Sequence, residues 1–195
     1  LNASAIQQRM SFLEDTLGQQ IFSEGLTICD LARTPGKTGS RMYDTEGVAT
    51  ADRTIIDKGC VREYFVSTYM AGKTGFAPTI EDVSRPWLMP FVKGCELAES
   101  KKDVSLKDIL AICGNGIYVT GFNGGNCNPV TGDFSFGIEG FAFSKGKITH
   151  PVKEMLITGN MMTLWSSLIA AGSDARTSSR WQIPTLAFEN VSFSA

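Results

Sequence analysis

The chain has 195 residues, 43% hydrophobic and 19% charged, with 20 glycines and a formal net charge of -2. A chain of this length buries roughly 70% of the surface it exposes when unfolded, so one self-sufficient globular domain over residues 1–195 is expected. Lysines and arginines are dispersed apart from the pair Lys101 and Lys102, so no basic stripe tracks a phosphate backbone and nucleic acid is excluded as a partner.

The chain opens with a helical pattern. Asn2 suits an N-cap, and Ile6, Met10, Leu13, Leu17 and Ile21 recur at helical spacing along one face, with Gly18 weakening the helix and Gly25 ending it. Residues 26–31 read as a strand leading into the loop RTPGKTGS at 33–40. Residues 54–66 hold two apolar runs around Asp57, Lys58 and Gly59, the signature of a hairpin with glycine supplying positive φ. A strand over 87–92 contains Pro90, which places it at a sheet edge or bulge. Ser105 with Asp108 caps a short helix through Ile112.

Strands follow at 116–122 and 134–143, then a hairpin through Ser144, Lys145, Gly146 and Lys147 into a strand at 148–152. Residues 161–171 are apolar on more than one side and predict a buried helix stopped by Gly172. Thr163, Ser166 and Ser167 interrupt that run, which is shorter than the roughly 20 residues of a bilayer-spanning helix, so no membrane association is expected. One or two strands close the chain at 183–193. Hairpins outnumber strand–helix alternations, so the expected class is α+β, mainly antiparallel, with a closed or partly closed β-barrel-like sheet and a few packed helices.

Candidate chemistry is sparse. The single histidine, His150, cannot supply the paired imidazoles of a zinc peptidase. Cys29, Cys60, Cys95, Cys113 and Cys127 contain no CxxC, which favours reduced thiols in a cytoplasmic protein. The opening Leu-Asn-Ala-Ser shows no signal-peptide pattern.

The stretch GFNGGNCNPVTGDFSFGIEG at 121–140 is rich in glycine, but it joins strand to strand and so matches neither a P-loop nor a dinucleotide fingerprint. Within it, Asn126, Asn128, Thr131 and Asp133 fit either a self-bonded turn or a polar surface facing a ligand. Arg41, Asp44 and Glu46 pose a similar choice, between an ion pair organising a loop and acid–base work. A thiol–imidazole pair of Cys127 with His150 is a third, weaker option.

Five segments in order carry a resemblance: GSRMYDTEGVAT (39–50), IIDKGCVREYF (55–65), NPVTGDFS (128–135), TGN (158–160) and IPTLAFENVS (183–192). Together they resemble the C-terminal domain of the TldD/PmbA family, formerly described as modulators of DNA gyrase and now regarded as metallopeptidase subunits, from about Ser11 onward.

The resemblance implies an α/β domain preceding a barrel-like β domain, and TldD-type and TldE-type subunits pairing around an internal cavity. In the TldD type an HExxxH helix supplies two zinc ligands and the general base, and a cysteine in a late glycine-rich loop supplies another ligand. Here no HExxxH occurs, and the late segment GSDARTSSRWQ at 172–182 has no cysteine.

The resemblance therefore implies a TldE/PmbA-like, non-catalytic subunit acting on unfolded peptide, with no cofactor of its own, zinc in a TldD-like partner, and that partner or a homodimer as the assembly. Arg41, Asp44, Glu46, Asn126, Asn128, Thr131 and Asp133 are its candidate cavity-facing residues. The alternative is a stand-alone β-barrel binding module.

Overall fold

A computed structural model describes residues 1–94 and 103–194. Cys95, Lys101 and Lys102 lie outside the described residues. The described strands pair into three antiparallel sheets, and none of the three closes on itself.

The first departure from the expected pattern is at the N-terminus. Helix α1 runs only Ala3–Gln7, capped as expected by the Asn2 side chain, which accepts from the Ser4 N–H at 2.9 Å. Beyond it Arg9 (φ 55°) and Asp15 (φ 58°) adopt left-handed backbone, and the expected face breaks up, with Ile6 and Leu13 buried but Met10 50% and Leu17 42% exposed. Tertiary hydrogen bonds replace helical ones. The Phe12 N–H donates to the Pro129 carbonyl at 2.8 Å, that of Gly18 to Val61 at 2.7 Å, and those of Thr16 and Leu17 to the Tyr64 hydroxyl at 3.0 and 3.1 Å. Partners distant in sequence thus override a helical spacing.

The first sheet contains β1 (Ile28–Asp30), β2 (Arg53–Asp57), β3 (Cys60–Val61) and β4 (Pro86–Leu88), in the order β3-β2-β1-β4. The β2–β3 hairpin forms as predicted, with Lys58 (φ 48°) and Gly59 (φ 79°) both at positive φ, as a type I′ turn needs. A side chain at Gly59 would place its Cβ 2.3 Å from the Phe22 carbonyl oxygen, so the turn also needs glycine for close approach. The strand expected over 87–92 is two, because β5 (Phe91–Val92) belongs to a different sheet from β4 and the chain changes sheets at Pro90.

Helix α2 (Thr68–Thr74), in a stretch that reads as β-rich, is capped by Ser67 and ended by Gly75 at φ 76°. Helix α3 (Leu106–Cys113) carries the expected capping box of Ser105 and Asp108.

The long antiparallel ladder is β6 (Gly116–Cys127), β7 (Asp133–Ser144) and β8 (Lys147–Asn160), all extending beyond their predicted bounds. The expected buried helix at 161–171 is instead α4 (Met161–Ser166) followed by β9 (Leu168–Ala171). No residue of α4 is buried, whereas Leu168, Ala170 and Ala171 are, because β9 sits between β5 and β10 (Leu186–Phe188). The run is apolar on both sides because a central strand is covered on both faces. The last strand, β11 (Ser192–Ser194), pairs with β8 and completes the order β11-β8-β7-β6.

The main core gathers Leu26, Ile56, Val61, Leu88 and Leu168. A second cluster packs Val104 and Ile109 against Ala170 and Ala187. Most of the long sheet contributes to neither, and Phe122, Phe141, Ile148 and Leu156 are substantially exposed on it. No helix of the described residues is long and apolar enough to cross a membrane.

Candidate functional site

A cavity of about 1050 Å³ lies between the long sheet and the β5–β9–β10 sheet, with α3 along one side. Alternation along the strands builds its apolar lining. Phe134 and Phe136 point to one face of β7, and Phe122 of β6 meets Phe136 edge-on at 5.8 Å between centroids. Phe134 stacks with Phe136 at 5.9 Å. Ile169 of β9, Phe188 of β10 and Ile109 of α3 complete the apolar boundary. Cys113 also lines it, and burial raises its thiol pKa above the ordinary value. This volume sits at the upper end of ligand-binding sites, which are mostly apolar with a few placed polar groups.

Among the described residues, three charged ones line the cavity: Asp174, Arg176 and Glu189. Asp174 accepts from the Thr185 N–H at 2.8 Å and from its hydroxyl at 2.6 Å. Glu189 accepts from the Lys93 ammonium at 2.7 Å. The Arg176 guanidinium forms no hydrogen bond or ion pair among the described residues, although its carbonyl accepts from the Gln182 side-chain amide at 2.8 Å.

The late segment 172–182 borders this cavity and is held from below. The buried Asp30 carboxylate accepts the Ser84 N–H at 3.0 and 3.1 Å and the Arg85 N–H at 2.6 Å, which fixes residues 84 and 85. From there Arg85 Nη1 donates to the Ser179 carbonyl at 3.3 Å, and Arg180 Nη2 donates to Val83 at 3.1 Å. Gln182 pairs with the first sheet through its N–H to Pro86 at 2.8 Å and its carbonyl from Leu88 at 3.1 Å.

The residues expected from sequence stand elsewhere, since none of the seven lines the cavity. The ion pair expected of Arg41 is not formed among the described residues; Arg41 donates instead to the Ser84 hydroxyl at 2.7 Å and to the Asp82 carbonyl. Asp44 is buried, and its carboxylate accepts the N–H groups of Glu46 (3.0 Å), Val48 (2.9 Å) and Glu81 (3.3 Å). Glu46 caps α2 by accepting the Thr68 N–H at 2.7 Å and its hydroxyl at 3.0 Å.

The second group adopts the turn. Asn128 accepts the Val130 N–H at 2.9 Å, and Asp133 accepts from the Thr131 hydroxyl at 2.7 Å and the Asn160 amide at 2.9 Å. The Asn160 and Thr131 donors hold the Asp133 carboxyl below the usual carboxylate range. Asn126 is exposed near the end of β6, opposite Ser135.

The thiol–imidazole option fails on register. His150 lies level with Ala142 and, through it, with Ile117, whereas Cys127 pairs with Phe134 at the other end of the ladder, roughly 30 Å away. Nor do the described residues bring three His, Cys, Asp or Glu side chains into a set that would hold a metal ion, so their donors do not fit a zinc centre. Sequence reasoning missed the cavity, although the alternation of Phe134, Phe136 and Ile138 along β7 was a readable signal of one apolar sheet face.

The whole chain, residues 1–195, matches the family model described as the PmbA/TldA metallopeptidase C-terminal domain. It is 30% identical to the metalloprotease PmbA of Escherichia coli O157:H7 over 91% of this chain and 38% of that protein. Among solved structures it is similar to a proposed modulator of DNA gyrase from Bacteroides thetaiotaomicron VPI-5482, with 47% identity and a TM-score of 0.90 over 99% of this chain and 42% of that one. TldE from Thermococcus kodakarensis shares the fold, with a TM-score of 0.84 at 20% identity over 100% of this chain and 45% of that one. The chain thus spans about two fifths of the length of these relatives.

Proposed function

The chain belongs to the PmbA/TldD metallopeptidase family as its C-terminal domain, and on that premise we propose that it serves a TldE/PmbA-like subunit that encloses unfolded peptide while a TldD-like partner supplies the zinc and cuts. The observation that carries this reading is the apolar cavity of about 1050 Å³ bordered by the late segment 172–182. In the TldD type the resembled loop carries a zinc-binding cysteine; here the same segment offers Asp174, Arg176 and Ser179 at the edge of a space sized for peptide side chains.

The reading treats residues 1–195 as one domain. It assigns the exposed face of the long sheet, with Asn126, Asn128 and Thr131 at its end, to the surface that the partner covers, and it has barrel-like closure completed there. It also places the protein in the cytoplasm, in keeping with the free thiols of Cys29, Cys60, Cys113 and Cys127.

The test is reconstitution of the full-length subunit with its TldD-like partner and an unfolded peptide. Hydrolysis should require both chains and should persist in Cys127→Ala. Undiminished hydrolysis by the partner alone would refute the proposal.

A further inference from the structure

Asn-Gly steps occur at Asn115-Gly116, where β6 begins, and at Asn123-Gly124, inside it, and the fold treats them differently. We propose that Asn123 is a site of spontaneous deamidation, where the chain converts its own side-chain amide to aspartate and isoaspartate, and that the fold protects Asn115 from the same reaction.

The chemistry needs a free side-chain amide, a following backbone nitrogen able to approach it, and water. The Gly124 nitrogen attacks Cγ of Asn123. A bond from that nitrogen to Cγ forms as the Cγ–Nδ2 bond breaks, and Nδ2 leaves as ammonia with the proton of the Gly124 N–H. Water then opens the succinimide. Opening at Cγ leaves aspartate at 123, and opening at the main-chain carbonyl leaves isoaspartate, whose backbone runs through Cγ. The net change is water taken up and ammonia released, with nothing oxidised or reduced.

Asn123 is exposed on the edge strand of its sheet, and its side chain forms no hydrogen bond among the described residues. The ladder passes from Asn123, opposite Gly137, to Asn126, opposite Ser135, so Gly124 and Gly125 occupy a bulge without partner residues on β7. Nothing lies within 4 Å of where a Gly124 Cβ would stand. A glycine in so open a bulge turns its nitrogen toward the neighbouring amide with little steric cost.

At Asn115 each of these conditions is reversed. Its Oδ1 accepts the Ser144 hydroxyl at 2.9 Å and the Lys145 N–H at 3.1 Å. Gly116 lies in the ladder opposite Phe143, and a Cβ there would stand 2.9 Å from that ring. Asn128 is protected differently, because the nitrogen of Pro129 carries no hydrogen to give up. Phe122, next to the reacting residue, lines the cavity. Aspartate at 123 adds a negative charge beside it, and isoaspartate adds a backbone carbon to β6 just after it.

The test incubates the full-length protein at mildly alkaline pH, folded and in guanidinium chloride, and follows both sites by peptide mapping with mass spectrometry that separates aspartate from isoaspartate. In the folded protein Asn123 should convert at least about tenfold faster than Asn115, the scale of the hydrogen bonds that must break to release the Asn115 amide. In denaturant the two rates should converge. Ser144→Ala should speed conversion at Asn115 and leave Asn123 unchanged, and Asn123→Gln should abolish the product at 123. Equal rates in the folded protein would overturn the proposal, as would an Asn123 that keeps its amide when folded but loses it in denaturant.

Discussion

Asp30→Asn tests the support beneath the cavity's border. The Asp30 side chain is 0% exposed, and no ion pair among the described residues neutralises it. Its two oxygens receive three contacts from two backbone donors, the N–H groups of Ser84 (3.0 and 3.1 Å) and Arg85 (2.6 Å). Asparagine keeps the volume but replaces a charged acceptor with a neutral one, at roughly 1 kcal/mol per donor. It also sets an amide NH2 in place of an acceptor, leaving buried donors facing donors at a further cost of about 1 to 3 kcal/mol. The expected loss is therefore about 3 to 5 kcal/mol.

In urea titration, with a slope near 2 kcal/mol/M, the midpoint should fall by about 1.5 to 2.5 M with the slope unchanged. Because residues 84 and 85 hold the late segment through the Arg85 to Ser179 bond, amide exchange at Gln182 should also accelerate. A midpoint shift below about 0.5 M, equivalent to about 1 kcal/mol, would refute the assignment of Asp30 as the anchor of this segment.

Tyr64→Phe should cost about 2 kcal/mol in the same titration, since its hydroxyl accepts from Thr16 and Leu17 and donates to Leu13 at 2.9 Å. The Thr16 amide should lose its exchange protection, and unchanged protection would contradict the account of why the N-terminal helix stops. Gly59→Ala combines positive φ with a Cβ 2.3 Å from the Phe22 carbonyl oxygen, whereas Gly47→Ala has the same φ of 79° and nothing within 4 Å. Gly47→Ala should cost about 1 kcal/mol and Gly59→Ala at least about 2 kcal/mol more, so equal midpoints would remove the close-approach argument.

An NMR titration of the Asp133 carboxyl should give a midpoint below the ordinary aspartate value. Asn160→Ala, which removes the leading cause, should raise it. Because the folded pKa is lowered, any stabilisation from this group is present above the unfolded pKa and is lost as pH falls through the folded one. A wild-type midpoint at or above the ordinary value would refute the network.

The geometry also separates two kinds of polar residue that look alike in sequence. Asp44 and Arg41 sit in a segment on which the family resemblance rested, yet their polar atoms are engaged by backbone and hydroxyl groups within the fold. Arg176 sits in an unremarkable run of small polar residues, yet it borders a cavity of about 1050 Å³.

Local signals in the sequence determined the α+β class, the Lys58-Gly59 turn, the Asn2 and Ser105 caps and the succession of hairpins. Each depends on residues only a few positions apart, whose φ preferences, cap bonds and side-chain alternation act before any distant contact forms. Five spaced motifs likewise carried the family. Tertiary structure decided the rest.

The helical spacing from Ile6 to Ile21 gave way to bonds from Pro129, Val61 and Tyr64, and the apolar run after Met161 divided between α4 and a strand held by β5 and β10. The cavity, and an Arg176 without a side-chain partner among the described residues, were equally out of reach, since they depend on how two sheets and α3 face one another. Spacing along a chain encodes which face of an element is apolar, but not which distant partner will cover it or which charge will be left without one.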